Sequence, residues 1–223
     1  MIIYKNLVLL GSSHISIESI KEIKTYLDKN KPSIIALELD KNRYMALVSK
    51  DPRSSSIQII RELGFGAFVI NKIGQKIERE LGKLVGVTPG SEMLAAINIA
   101  NEKNIPLALI DQDIRLTLKR LSKKLTLKEK LRFVVDIFLS LFPSKNKIKI
   151  DLRKVPSQEL IKEMILKIEE RYPTIYKVLI EERNKTMSSN LLRISKDIKG
   201  EIFVIIGAGH LDGLIDQLKK VGY

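Results

Sequence analysis

The sequence uses one short motif twice, and each copy follows an apolar run that is typical of a buried strand. Gly11 to His14 (GSSH) ends the run NLVLL, and Gly207 to His210 (GAGH) ends the run EIFVII. A helical pattern of apolar residues follows each copy. Continuous apolar runs that alternate with amphipathic helices are typical of parallel sheets covered on both faces. The sequence therefore predicts an α/β fold with a mainly parallel sheet flanked by helices.

Two more strands are predicted between the two motifs. Residues 33–39 (SIIALEL) and 107–110 (LALI) are short apolar runs, whereas residues 114–196 contain helical patterns and no convincing strand. At 223 residues the chain has the length of one sizeable α/β domain. We therefore predict a single domain over residues 1–223, with a helical insertion over about 114–196 between the third and last strands.

Ionisable residues stand at the end of every predicted parallel strand. His14 follows the first strand, Glu38 lies at the end of the second, Asp111 ends the third and His210 follows the last. Ligands of open parallel sheets bind outside the carboxyl ends of the strands, so we expect these side chains to lie together. Glycine at a strand end allows a sharp turn and close approach to a ligand. Three glycines are candidates for this role: Gly11, Gly207 and Gly209.

Two imidazoles with a carboxylate indicate two kinds of chemistry. His14, His210 and Glu38 suit a divalent metal such as Zn, Mn, Co or Fe. The same residues suit metal-free hydrolysis in which a histidine takes a proton from water. Arg43 is predicted to neutralise Glu38 or to stabilise an oxyanion. A turn-stabilising hydrogen bond would explain one histidine, but the sequence has only two histidines and both occupy the matched motif.

Composition excludes several classes of protein. Without cysteine the chain can form no disulfide, thiolate metal site or cysteine nucleophile. No zinc finger, RNP strand or helix-turn-helix indicates specific nucleic-acid binding. The GxGxxxG pattern that begins at Gly207 lacks the second strand of a dinucleotide-binding unit, and there is no HExxH, GxSxG or Walker motif.

No apolar stretch reaches about 18 residues and no signal peptide is evident, so we expect a cytoplasmic protein.

The positive charge is concentrated in one segment. The net charge is +13, and residues 115–154 carry 13 Lys or Arg against three acids, which gives +10. A solvated helical surface is the simplest explanation, and an anionic membrane surface, nucleic acid or an acidic partner is the alternative. Residues 131–142 hold three of the six phenylalanines. That patch is expected to form core or a homodimer interface, and a helix lying on a membrane is the alternative.

The order of these motifs resembles the TraB/PrgY/GumN family, which includes the Tiki-type proteins. The resemblance extends over nearly the whole chain, with the GAGH motif and its following glycine among its most specific parts. Besides the two Gly-x-x-His motifs, the matching positions are Glu38-Leu39-Asp40 with Arg43, Gly90 to Met93 (GSEM), Asp111 before Thr117 to Arg120 (TLKR), and Glu182-Arg183 with Met187.

The resemblance implies a fold and an activity. The fold would be related to the erythromycin-esterase-like and haem-uptake ChaN-like proteins, and the activity would be metal-dependent peptide hydrolysis, as described for Tiki-type members. It adds Glu92, Glu182 and Arg183 to the catalytic candidates, with Glu92 or Glu182 as an alternative metal ligand to Glu38. Bacterial relatives act on peptide pheromones, so a peptide or a small-molecule ester is the expected substrate. Esterase-like relatives use His and Glu without an evident metal.

Three departures from the family pattern concern the substrate and the membrane. Asn184 stands where an acid is expected after Glu-Arg, and Gln112 stands where many members have Arg. We also expect no membrane-spanning tail of the kind found in several relatives. A second hypothesis, motivated by the positive charge beside the Phe-rich patch, is a non-catalytic module that sequesters a peptide or tethers a membrane through residues 115–154.

Overall fold

The computed structural model describes residues 1–12, 17–49, 72, 90–140 and 157–223. Five strands and the helices around them form an α/β fold. The strands are β1 (Ile2–Tyr4), β2 (Leu7–Ser12), β3 (Ile34–Leu37), β4 (Leu107–Leu109) and β5 (Ile202–Gly207). The helices are α1 (Ile17–Lys29), α2 (Lys41–Val48), α3 (Ser91–Glu102), α4 (Ile114–Lys124), α5 (Leu127–Ser140), α6 (Gln158–Arg171), α7 (Pro173–Tyr176), α8 (Glu182–Asp197) and α9 (Leu211–Lys220).

The strands form one mixed sheet in the order β1-β2-β5-β3-β4. The last four are parallel, which confirms the prediction for them, and β5 lies between β2 and β3. The antiparallel strand β1 was not predicted, because three residues before a turn give too short a pattern. It joins β2 through a two-residue turn in which Lys5 adopts a φ of 53°.

Helices cover both faces of the sheet, and this explains the continuous apolar runs of the strands. Every residue of β5 is buried. On one face Phe203 and Ile205 pack among residues of α1 and α3, such as Ile23 and Ile97. On the other face Val204 lies in a second cluster with residues of α8 and α9. Burying an aliphatic or aromatic side chain contributes roughly 1.5–3 kcal/mol, so these two layers supply most of the stability of the sheet.

Every element described between β4 and β5 is helical, and the basic segment is interrupted. Helix α4 ends at Lys124, and Thr126 begins the next helix with a capping box. The backbone N–H of Glu129 donates to the hydroxyl of Thr126, and the N–H of Thr126 donates to the Glu129 carboxylate. The sequence predicted a short helix over 114–121 followed by a separate basic helical segment, and the spacing Thr-x-x-Glu is the signal that marks the break between them.

Candidate functional site

The carboxyl ends of β2 and β5 bring the two Gly-x-x-His motifs side by side. Ser12 pairs with Gly207 in the parallel register, and Gly11 pairs with Ile206. A Cβ on Gly11 would lie 3.2 Å from the Cα of Ala208, so the absence of a side chain allows this close approach. The described part of the first motif, Gly11 and Ser12, therefore adjoins the start of the second. The prediction for His14 lies outside the described residues.

Four ionisable side chains meet at this edge of the sheet, and we call them the sheet-edge cluster. Glu38 directly follows β3, Asp111 follows β4, His210 closes the short 3-10 turn after β5, and Arg183 lies in the first turn of α8. Their side chains are 2%, 2%, 6% and 14% exposed in that order. The direction of the parallel strands predicted that the first three side chains would lie together. Arg183 was expected from the family pattern alone.

Arg183 is the centre of the sheet-edge cluster. Its Nε and Nη2 donate to the two oxygens of Asp111 at 3.0 and 2.8 Å, a bidentate pair. Nη2 also donates to Oε1 of Glu38, and Nη1 lies 3.0 Å from Nε2 of His210. Burial alone would lower the pKa of Arg183, but the charges of Glu38 and Asp111 and their hydrogen bonds raise it above its usual value. The guanidinium therefore stays charged and holds three predicted site residues together.

A break in helix geometry precedes Arg183. Residues Lys177–Glu181 form a π-helical turn between α7 and α8. The carbonyl oxygen of Leu179 in this turn accepts a hydrogen bond from Nη1 of Arg183 at 3.3 Å. Such turns occur frequently at functional sites. Here it supplies a carbonyl that accepts from the guanidinium of Arg183.

Glu38 is fixed by the backbone of the second motif as well as by Arg183. Its Oε2 accepts from the backbone N–H of Gly207 at 2.5 Å, and its Oε1 lies 3.4 Å from Nε2 of His210. A buried carboxylate without partners would be costly, and these contacts are the compensation. Asp111 accepts in addition from Nη1 of Arg43 at 3.4 Å, and the side chain of Arg43 is 34% exposed. Two carboxylates and two guanidinium groups thus balance in charge around His210.

Asp40, the last residue of the Glu-Leu-Asp motif, has a structural role. Its Oδ1 accepts from the backbone N–H groups of Asn42 and Arg43 at 2.7 and 3.2 Å, so it is the N-cap of α2. Its Oδ2 accepts from the N–H of Ile114 at the start of α4. Asp40 therefore places Arg43 beside Asp111 and joins two helices at the same edge.

Glu182 belongs to a second group of charged side chains, which includes two cations of α4. Its carboxylate accepts from Nη1 of Arg120 at 2.9 Å and from Nζ of Lys124 at 2.7 Å. Burial would raise the pKa of Glu182, but the hydrogen bonds and charges of these two cations lower it overall. Arg120 also donates to the side-chain carbonyl of Gln112 at 3.3 Å. Glu182 thus joins α8 to α4. Its predicted catalytic role and its role as an alternative metal ligand remain predictions.

Glu92 is buried in the first turn of α3, after Gly90. Gly90 has a φ of +83°, and a Cβ there would lie 3.0 Å from Leu47, so this part of the GSEM motif has a backbone reason. The catalytic role predicted for Glu92 from the family pattern stays a prediction. Gly209 has no comparable constraint, because a Cβ there would meet Ile165 only at an ordinary 3.5 Å.

The residues that sequence reasoning missed surround His210. Asn184 accepts from its Nδ1 at 2.7 Å and is 3% exposed. The sequence signal was the position of Asn184, directly after Glu182-Arg183, where the family pattern has an acid. Gly213, in the first turn of α9, leaves room for that amide. A Cβ on Gly213 would lie 2.4 Å from Nδ2 of Asn184.

A model of the TraB/PrgY/gumN family matches residues 4–223. The chain belongs to the TraB/PrgY/gumN family. It is 34% identical over 218 residues to an uncharacterised protein of Methanocaldococcus jannaschii, an alignment that covers 97% of this chain and 54% of that protein. The chain thus spans about half the length of this curated relative. Within the described residues, no helix has the length and apolar character needed to cross a membrane.

Metal ligation was tested against this geometry. Among residues 1–12, 17–49, 72, 90–140 and 157–223, no group of three or more His, Asp or Glu side chains is arranged to hold a metal ion. Glu38 Oε1 and His210 Nε2 are 3.4 Å apart, which suits two neighbouring ligands at about 2.0–2.2 Å in a tetrahedral site. However, Arg183 contacts both atoms and already supplies the positive charge that a metal would bring. Glu38 and His210 are thus two described residues whose spacing suits metal ligands, and Arg183 occupies the position between them.

Proposed function

We propose that this chain is a hydrolase of peptide or ester bonds whose site is the sheet-edge cluster. The observation that carries the proposal is the position of Arg183, which joins two buried carboxylates and an imidazole from distant segments. Packing alone does not require such a cluster, because apolar residues in the same positions are often as stabilising or more so. Buried charged groups that perturb each other at the carboxyl edge of a sheet are typical of functional sites.

His210 is the proposed general base. Arg183 can only donate hydrogen bonds, so the neutral imidazole carries its lone pair on Nε2, and in the reaction Nη1 of Arg183 releases that lone pair to the attacking water. In hydrolysis, water would give its proton to Nε2 while its oxygen attacks the carbonyl carbon of the substrate. The proton then passes to the departing alcohol or amine. Such a proton transfer contributes roughly 10²–10⁴-fold to the rate.

The two arginines would then have different roles. Arg183 is shared among Glu38, Asp111 and His210, so it positions the cluster and stabilises negative charge that develops beside Nε2. Arg43 makes one long contact to Asp111 and is 34% exposed. It is therefore the cation that a substrate reaches, and we assign it to the oxyanion. Glu38 orients the second motif through the N–H of Gly207.

A metal-assisted version of the same hydrolysis uses the same residues. Glu38 and His210 would be two ligands of Zn, Mn, Co or Fe, and His14 is the predicted third. The bound ion would polarise the carbonyl and lower the pKa of its water. We favour the metal-free version because Arg183 and Arg43 already balance the two carboxylates. A relationship of the fold to erythromycin-esterase-like and ChaN-like proteins is part of this proposal, since the esterase-like relatives act without an evident metal.

The proposal is tested by a hydrolysis screen with controlled metal content. The purified chain would be dialysed against EDTA and assayed on aryl esters and on a mixed peptide library, with and without added Zn, Mn or Co. We expect turnover that is lost in His210→Ala and retained in Lys167→Ala, a surface change on α6. Activity after EDTA supports the metal-free version, and activity only after metal addition supports the other. No turnover under any condition would contradict the proposal.

A second candidate function rests on the surface of α5. Leu127, Leu131 and Val135 recur every four residues and are 77%, 67% and 50% exposed, with Lys128 and Lys130 beside them. An apolar stripe flanked by lysines suits an anionic membrane surface or a second copy of the chain. Co-sedimentation with anionic vesicles at low and high salt tests the membrane. A molar mass from light scattering tests the homodimer. No binding and a monomer would remove this candidate.

A further inference from the structure

We propose that Asn184 is the positioning residue of the site and that it fixes the tautomer of His210. The inference rests on the proposed function, because it concerns the base of that reaction. It also goes beyond it, since it assigns a role to a residue at which this chain departs from its family's pattern.

The imidazole of His210 is contacted at both nitrogens. Nδ1 lies 2.7 Å from Oδ1 of Asn184, and Nε2 lies 3.0 Å from Nη1 of Arg183. A neutral imidazole carries a proton on one nitrogen and a lone pair on the other. The proton location therefore depends on which neighbour can accept and which can donate.

Arg183 favours one of the two tautomers. A guanidinium has five N–H donors and no acceptor, so it favours a lone pair on the nitrogen that faces it, but it does not fix the tautomer alone, because the Glu38 carboxylate near the same nitrogen is an acceptor for the other tautomer. That nitrogen is Nε2, and the proton of the ring is then on Nδ1. The carboxylate of Glu38 is farther from Nε2, at 3.4 Å, and it already accepts from Arg183 and from the backbone of Gly207.

Asn184 completes the arrangement on the other side. An N–H at Nδ1 requires an acceptor, and the amide oxygen of Asn184 supplies it at 2.7 Å. If the amide were reversed, its NH₂ would face the N–H of the ring, and two buried donors would oppose each other. Asn184 is 3% and His210 is 5% exposed, so water does not readily replace this contact.

Gly213 explains why an amide fits at this place. A Cβ on residue 213 would lie 2.4 Å from Nδ2 of Asn184, too close for any side chain without a shift. The last glycine of the GxGxxxG pattern therefore leaves space for the NH₂ end while the oxygen faces His210. The pattern resembles a dinucleotide fingerprint, but the close approach of Asn184 gives Gly213 a different structural role. It also predicts that residues 184 and 213 act together on His210.

The tautomer has a chemical consequence for either version of the reaction. With the proton on Nδ1, the lone pair of Nε2 accepts from Arg183, and release of that hydrogen bond would make it available to a proton or a metal. Partners of the non-reacting nitrogen typically alter metal affinity or activity by about 10–100-fold. An amide partner stays neutral, in contrast to the acid that the family pattern has at this position.

The experiment is nitrogen NMR of the protein labelled with ¹⁵N-histidine. The chain has two histidines, so His14→Gln assigns the signals of His210. We expect the unprotonated nitrogen of His210 to be Nε2. In Asn184→Leu, which has no acceptor, we expect a mixture of tautomers and a loss of turnover of about 10–100-fold. In Asn184→Asp, which keeps an acceptor, we expect the original tautomer.

The matched control is Asn190→Leu, which removes an amide of the same helix that bonds the carbonyl of Ile110. We expect it to leave the spectrum of His210 unchanged, and Gly213→Ala to alter it. A proton on Nε2 in the wild type would overturn the proposal, and so would an unchanged tautomer in Asn184→Leu. The expected tautomer in a protein that hydrolyses nothing would support the positioning role while removing the proposed function.

Discussion

Arg183 and Arg171 each bind an aspartate through Nε and Nη2, the first at the sheet edge and the second where α5 meets α6. Arg183 and its partner Asp111 have side chains 14% and 2% exposed. Arg171 and its partner Asp136 have side chains 51% and 28% exposed. The hydrogen-bond pattern is the same, but solvent compensates the loss of a partner only in the second pair. The comparison teaches that burial, rather than the ion pair itself, separates a candidate site from a surface contact.

The largest effect is expected for Arg183→Met. It leaves Glu38 and Asp111 buried without their shared cation, and breaking a buried pair by removing one partner costs about 3–5 kcal/mol. The unfolding free energy from urea titration would measure the loss. A loss below about 1 kcal/mol would show that the two pairs are equivalent and would break the comparison.

The next effect is a recovery of stability in a double variant. Glu38→Gln removes one of the two charges that Arg183→Met leaves uncompensated. We expect the double variant to be more stable than Arg183→Met alone by about 1–2 kcal/mol, because groups in one buried network couple strongly. Urea titration of the four proteins of this cycle gives the coupling free energy. Simple additivity would contradict a charge-based cost.

An intermediate effect is expected at Glu182, whose side chain is 13% exposed while its partners Arg120 and Lys124 are 40% and 47% exposed. Its pKa is lowered in the folded state, so its contribution is present above the unfolded pKa of about 4.5 and is lost as the pH falls through the folded pKa. Glu182→Gln should cost about 1 kcal/mol at pH 7. The difference from wild type should shrink below pH 4.5, as measured by unfolding over pH 3–7. A difference independent of pH would contradict the ion pairs.

The smallest effect is expected for Arg171→Met. The hydrogen bonds of Arg171 and Tyr172 lower the pKa of Asp136 to about 2, but the pair lies at the surface and is screened by salt. We expect a change in melting temperature close to the error of the measurement, and smaller still at 1 M salt. A loss of stability as large as that of Arg183→Met would show that the contact between α5 and α6 stabilises the fold as much as the sheet-edge cluster does.

The sequence predicted the location of the site because strand direction is readable from apolar runs. It placed Glu38, Asp111 and His210 at one edge, and their contacts confirm this. It did not predict which charges pair. Arg43 was expected beside Glu38, whereas Glu38 pairs with Arg183 and Arg43 contacts Asp111. Helix α8 lies at the end of the helical segment, and Arg183 is therefore far from Asp111 along the chain. A local sequence pattern does not indicate a contact between residues so far apart.

Short elements and fine geometry were also beyond sequence patterns. The strand β1 has three residues, and the π-helical turn before Arg183 has no compositional signal. Asn184 was noted as a departure from the family pattern, but the meaning of an amide there depends on both nitrogens of His210. Gly213 became interpretable only when its neighbour in space was known.

The central claim is that the sheet-edge cluster performs chemistry, and His210→Gln tests it most directly. The turnover of an ester or peptide found in the screen and the urea unfolding free energy would be measured on the same preparation. We expect kcat/KM to fall by about 100-fold or more while stability changes by about 1–2 kcal/mol. Unchanged turnover in a folded His210→Gln protein would contradict the claim.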